Sequence, residues 1–286
     1  MWLLYAFGSA FFAGMTAVLA KVGVKSTDAD LVTALRTAVV VLFSWLMTLL
    51  AGTAASLVYI SPISLLFLIL SGLATGASWI CYYRALKDGD VNKITPIDKS
   101  STVLTMILAF VILDEKLSPA KIAGMLLISA GTLLMITKTG GEPKEGRRRW
   151  MIYAAGSAVF AALTAILGKI GLRGVESNLA VAVRTVIVLL FAWGIVIGRR
   201  KTGEIKNVDS RSWVFIILSG LATGASWLCY FRAIQFGEVS VVAPIDKLSV
   251  LITILFSRIF LKEKLRPRAL TGLFLLTGGT LALLLT

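Results

Sequence analysis

The stretch "SGLATGASWICYYRAL" runs from Ser71 to Leu86, and "SGLATGASWLCYFRAI" runs from Ser219 to Ile234. The two agree at thirteen of sixteen positions. Internal repeats decide a fold before any local pattern does, because each copy must adopt the same architecture. Working outward from this pair, the chain aligns with itself without a gap at an offset of 148 positions. Tyr5 meets Tyr153, Lys21 meets Lys169, Arg36 meets Arg184 and Glu115 meets Glu263. Identity over the full overlap is roughly 40%.

Each copy contains five apolar runs, at about 3–20, 31–51, 65–86, 96–113 and 119–137, then 151–168, 179–198, 213–234, 244–261 and 268–285. Runs near 20 residues are long enough to cross a bilayer core as helices. The fold class expected is an all-α integral membrane protein with ten transmembrane helices in two five-helix repeats. Five is odd, so the second copy enters the membrane from the opposite face and the repeats have inverted topology. The first repeat covers 1–138, a short basic linker covers 139–149, and the second repeat covers 150–286.

The composition agrees: 57% of the 286 residues are hydrophobic and 15% are charged. The net charge of +14 raises the question of nucleic acid. Lys and Arg sit mostly in the short connections, however, which is the pattern of membrane topology; no nucleic-acid partner is expected. Cys81 and Cys229 fall within apolar runs and read as small packing residues. No histidine occurs, which removes His-based triads and His-ligated metal sites. No paired carboxylates suggest catalysis either, so no enzyme activity, catalytic residue, metal or cofactor is expected. The N-terminal run lacks a basic flank, and its relative "RWMIYAAGSAVFAALTAILG" recurs mid-chain, so both read as membrane spans.

One face collects the connections after spans 1, 3, 5, 7 and 9, with Lys25, Lys87, Lys93, Arg147–Arg149 and Arg199–Lys201 among its cations. The other face holds few, chiefly Lys116, Lys121 and Arg173. The positive-inside rule then predicts a multi-pass protein of the inner or plasma membrane with both termini outside.

These features together resemble the drug/metabolite transporter superfamily, specifically its EamA-type members. Lys21 and Lys169 close the first span of each half, and Arg36 and Arg184 lie early in the second. The repeated third span follows, then "PIDK" at the start of the fourth, "DEKLSP" and "KEKLRP" in the next turn, and "GMLLISAGT" in the fifth. The resemblance covers essentially the whole chain. It implies a secondary transporter of a small solute, with a central cavity between the halves and alternating access. It names no substrate. EamA-type members usually keep both termini in the cytoplasm, in contrast to the orientation read from charge.

Charges within spans cost roughly 2.5–3.5 kcal/mol at mid-helix on insertion scales, so each needs a reason. Lys21, Arg36, Arg84, Asp98 and Lys99 lie near one membrane face; their copies Lys169, Arg184, Arg232, Asp246 and Lys247 lie near the other. Snorkelling at span ends accounts for some of them. Arg36 and Arg184 lie more than a turn inside and fit that reading least. The expectation is a charged cluster at each face, used in gating or in holding an anionic group of the substrate. Asp98 and Asp246 balance the cations, cap a helix start beside Pro96 or Pro244, or carry protons. Trp79, Tyr82, Trp227 and Tyr230 are either packing residues or aromatic walls of the cavity, since the resemblance puts the third span beside it. "GLATGAS" in each copy reads as a helix-packing seam.

Alternatives to transport of a soluble metabolite are a flippase for a lipid-linked intermediate and a non-transporting membrane scaffold. The partners expected are a small-molecule substrate and membrane lipid, with the protein a monomer or homodimer.

Overall fold

The computed structural model describes residues 1–23, 27–88, 94, 97, 100–135, 149–260 and 267–285. Asp98, Lys99 and most of the linker therefore lie outside the described residues, as does the side chain of Lys21.

Among the described residues the chain is all-α. Helices α1 (Trp2–Gly23), α2 (Ala29–Leu50), α3 (Pro62–Asp88), α4 (Ser101–Ile112) and α5 (Pro119–Met135) form the first half. Helices α6 (Arg149–Gly171), α7 (Ser177–Gly198), α8 (Ser210–Phe236), α9 (Val239–Lys247), α10 (Ser249–Phe260) and α11 (Pro267–Ala282) form the second. Seven segments are long and apolar enough to cross a membrane, one of them running through α9 into α10 at Val239–Phe256. Three shorter apolar helices accompany them.

The caps repeat with the sequence. Asp28 accepts from the Asp30 and Leu31 N–H groups at the start of α2, and Glu176 accepts from Asn178 and Leu179 at the start of α7. Ser61 receives the Ser64 N–H before α3, and Asp209 receives the Ser212 N–H before α8. Each places an oxygen against orphan donors of a first helical turn. A short 3-10 turn follows α2 at Ala54–Tyr59 and another follows α7 at Thr202–Asn207.

The halves are interleaved, and the pairing is internally symmetric. Helix α1 packs against α8, its counterpart α6 packs against α3, α2 packs against α7, and α5 packs against α11. The side chains obey the same relation. Ser9 and Ser226 hydroxyls meet at 3.3 Å, as do Ser157 and Ser78; Thr16 meets Thr223 at 3.2 Å, as Thr164 meets Thr75.

The glycine seams work as expected from sequence. A Cβ on Gly72 would lie 2.8 Å from Ile187, and one on Gly76 2.4 Å from the Phe191 ring. In the other half, Gly220 meets Val39 at 2.7 Å and Gly224 meets Phe43 at 2.7 Å. These glycines let α3 approach α7, and α8 approach α2, more closely than any side chain permits. Large apolar side chains such as Leu42, Leu50, Val111, Ile152, Leu190 and Phe274 stay exposed on the outside of the bundle, suited to lipid contact.

The fourth span of the second half differs from the sequence expectation. Its first helix begins at Val239, so Pro244 lies inside α9, and Asp246 and Lys247 sit at its C-terminal end rather than in a first turn. The reason is a cap supplied by the other half: the Glu115 carboxylate accepts from the Val239 N–H at 2.6 Å and the Ser240 N–H at 2.9 Å. Asp246 is therefore no helix-start cap.

Candidate functional site

Both halves wall one cavity of about 340 Å³. Ser9 and Ala13 reach it from α1, Thr75, Ser78 and Trp79 from α3, and Ser101, Thr102 and Thr105 from α4. The second half contributes Thr164 from α6, Arg184 from α7, Trp227, Tyr230 and Phe231 from α8, and Asp246 and Lys247 from α9. Six of the residues singled out from sequence thus meet here: Trp79, Arg184, Trp227, Tyr230, Asp246 and Lys247.

Arg184 organises this wall. It is 3% exposed. Its Nε donates to the Ser71 hydroxyl at 2.9 Å, and its Nη2 donates to the Thr75 hydroxyl at 2.6 Å. Both hydroxyls spend their own protons on carbonyls, Ser71 on Thr164 and Thr75 on Ser71, which leaves their oxygens free to accept. The guanidinium carbon lies 4.9 Å from the centre of the Trp227 ring and 5.1 Å from that of Phe231. Such placement over aromatic faces offsets part of the cost of burying the charge. No carboxylate pairs with Arg184 among the described residues.

Asp246 accepts a hydrogen bond from the Ser9 hydroxyl at 2.6 Å and has no ion-pair partner among the described residues. The ion pairing expected for it does not form there.

The remaining candidates separate from the cavity. Arg36 is half-buried near Tyr83, is not among the residues lining the cavity, and makes no hydrogen bond to a described residue. The halves therefore break their symmetry at this pair. Ser219, the counterpart of Ser71, turns its hydroxyl to the Ile216 carbonyl of its own helix. Arg84 is exposed and donates to the Tyr153 hydroxyl at 3.3 Å. Tyr82 packs with Ala85, Ile94 and Ala154, away from the cavity.

Lys169 and Arg232 lie at one membrane-end rim. Lys169 Nζ donates to the carbonyls of Ile234, Gln235 (3.3 Å) and Gly237 (3.1 Å), so it caps the C-terminus of α8. A cation there satisfies orphan carbonyls and interacts favourably with the negative end of the helix dipole. Arg232 donates to Glu176 at 3.3 Å and Gln235 at 3.2 Å, with its guanidinium 4.8 Å from the centre of the Phe236 ring. At the same end Ser64 donates to the Arg173 carbonyl at 2.8 Å, and the buried Lys121 pairs with Glu238. These contacts, with the Glu115 cap, tie the first half to the second.

At the other end the connection after α1 meets the one after α7. Arg199 pairs with Asp30, and Lys201 with Asp28. Burial would raise the Asp28 pKa, but the Lys201 ammonium and the two backbone N–H donors outweigh it and hold the carboxyl below its ordinary value. The same hydrogen bond raises the Lys201 pKa. Sequence reading listed Arg199 and Lys201 only as topology signals; their acidic partners come from a remote connection, and no local spacing reveals them. The hydroxyls of Ser71 and Thr75 carry one available signal, their spacing of one helical turn on the repeated third span.

Residues 1–137 and 148–285 each match the EamA-like transporter family. The chain belongs to that family. Its class of activity is membrane transport, not catalysis. Among its relatives, an uncharacterized transporter in the cobO 3' region of Sinorhizobium sp is 42% identical over 134 residues, which is 47% of this chain and 95% of that protein. One half of this EamA-like chain thus matches nearly all of that relative. The human solute carrier family 35 member G1 is 30% identical over 214 residues, 68% of this chain and 55% of its own length. A solved crystal structure superposes with a TM-score of 0.77 over 99% of this chain and 97% of its own, at 18% identity, a likeness of fold.

Proposed function

We propose that this EamA-like protein is a secondary transporter that carries a small solute through the central cavity by alternating access. The carrying observation is that the cavity is walled by both halves and holds a buried arginine with no acidic partner among the described residues. Neither half closes it alone. A purely structural scaffold has no use for charged side chains at such a seam, since each costs free energy in the membrane.

Ten spans in two inverted repeats, covering 1–138 and 150–286, account for the symmetric pairing of α1 with α8 and α6 with α3. Seven long apolar segments and three shorter apolar helices among the described residues support this reading. On this reading Lys169, Arg232, Lys121 and Glu115 close one end of the path, and Arg36, Arg84 and the Asp28–Lys201 group belong to the other. Asp246 is the described carboxylate that reaches the cavity, and so the one to test for proton coupling. The Lys and Arg bias supports both termini outside.

The test is purification, a thermal-shift screen of metabolites, and uptake into liposomes with and without a pH gradient. Protein-dependent saturable flux that Arg184→Ala abolishes is expected. Full flux in both Arg184→Ala and Arg36→Ala, with normal folding, rejects the role given to these charges; no flux of any solute rejects transport.

A further inference from the structure

We infer that the cavity binds its solute through a single oxyanion, a carboxylate or a phosphate, held by Arg184, with the rest of the solute against Trp79 and Trp227. This deepens the transporter reading and rests on it.

Among the described residues the charge on the cavity wall is unbalanced: two cations, Arg184 and Lys247, face it with one carboxylate, Asp246. Among the described residues, the hydrogen-bond partners of the Arg184 side chain are neutral hydroxyls. A buried cation without a counter-ion is costly, and an entering anion relieves that cost at the site where it is highest. A cationic solute adds to the imbalance and leaves it unrelieved.

The donors suit an oxyanion. A guanidinium carries five N–H donors, and Ser71 and Thr75 occupy one each. Those two bonds come from different nitrogens and lock the plane of the fork before any ligand arrives. The remaining N–H groups keep the geometry that pairs with carboxylate or phosphate oxygens. The Trp227 and Phe231 rings press on the guanidinium and restrict its movement further. Ser9, Ser78, Ser101, Thr102, Thr105 and Ser226 line the rest of the wall. At about 340 Å³ the cavity lies at the small end of ligand sites, which run from about 300 to 1,000 Å³. It suits a metabolite of modest size with one anionic group.

The test compares four probes on the wild-type protein: benzoate, phenyl phosphate, the neutral benzamide and the cationic benzylammonium. Binding is read by tryptophan fluorescence and by thermal shift in detergent. At least one acid is expected to bind about tenfold or more tightly than benzamide, and benzylammonium least. Benzoate against phenyl phosphate separates carboxylate from phosphate recognition. Arg184→Gln is expected to weaken the acid by about tenfold or more and leave benzamide unchanged, with Arg184→Lys in between. Benzamide or benzylammonium binding as well as the acids, no acid binding at millimolar concentration, or an unaffected Arg184→Gln variant overturns the inference. Should Arg184→Gln fail to fold, the four-probe comparison on wild type decides alone. Flux of cationic or neutral solutes only, in liposomes, sinks the oxyanion assignment and leaves transport standing; loss of all flux sinks transport itself.

Discussion

The Arg184 Nη2 donates to the Thr75 hydroxyl at 2.6 Å, and so joins α7 of one half to α3 of the other inside the cavity wall. The sequence equivalents, Arg36 and Thr223, do not repeat that bond, although Thr223 keeps the contacts to Thr16 and the Ser219 carbonyl that Thr75 makes to Thr164 and the Ser71 carbonyl. A nearly symmetric protein has thus placed its two arginines in different environments. A hydrogen bond to a charged group contributes about 1.5–3 kcal/mol. Thr75→Val keeps the shape and removes the acceptor. It should reduce transport about 10- to 100-fold, while Thr223→Val changes it far less. Rates of uptake by the two variants, normalised to folded protein, check this.

The approach of α3 to α7 depends on Gly76. A Cβ there would stand 2.4 Å from the Phe191 ring, whereas one on Gly194 would meet nothing within 4 Å. Gly76→Ala should cost about 1–3 kcal/mol through overpacking. Gly194→Ala should cost nothing, since alanine is the better helix former. Adding Phe191→Leu should recover part of the Gly76→Ala loss. Melting temperatures of the three variants in one detergent decide the matter.

Lys169, expected from sequence in a charged cluster at one face, donates its ammonium protons to three carbonyls at the C-terminus of α8. It is outside the set of residues lining the cavity. Lys169→Met should therefore lower stability by up to about 2 kcal/mol, with ligand affinity retained in the folded fraction. Arg184→Gln should do the reverse. Parallel melting and binding curves separate the two roles.

The fold was legible because a repeat doubles every signal. A glycine pair or an apolar run that recurs at the same offset carries more weight than either copy alone. The candidate site was legible in its charges, since an arginine more than a turn inside a span has few neutral explanations. What sequence could not supply was asymmetry. Arg36 and Arg184 have nearly the same neighbours in sequence, and it is the contacts of Arg184 with Ser71, Thr75, Trp227 and Phe231 that hold it on the cavity. The position of Asp246 was misread for a related reason. Pro244 marks a helix start by local rules, but Glu115 caps α9 from the far half and moves that start to Val239.

Acid and base should act on the Asp28–Lys201 pair at opposite limits. The Asp28 pKa is held below its ordinary 3.8, so its contribution is present above that value and lost as pH falls through the folded value. The Lys201 pKa is raised above 10.5, so its contribution is complete below 10.5 and lost as pH rises through the folded value. Asp28→Asn keeps a capping side chain and removes the charge. It should lower the melting temperature uniformly across neutral pH, by an amount worth no more than about 1 kcal/mol. The gap should close only in strong acid or strong base. A gap that closes between pH 5 and 8 would assign the effect to another group.

The turn after α7 offers the last test, because the protein contains its own control. Gly52 and Arg200 occupy equivalent positions just beyond α2 and α7, and both adopt left-handed backbone, with φ of +68° and +56°. Glycine does so without a Cβ clash; a residue with a side chain gives up about 1–2 kcal/mol there. Nothing crowds Gly52, so the conformation itself, rather than a close neighbour, sets the preference. The salt bridges at this end come from Arg199 and Lys201. Arg200→Gly should therefore stabilise the protein by up to about 1 kcal/mol after the added unfolded-state entropy of glycine is subtracted. Gly52→Ala should destabilise it. Opposite signs in the two melting shifts are the expected result, and a loss in both would mean that the Arg200 side chain contributes more than its backbone costs.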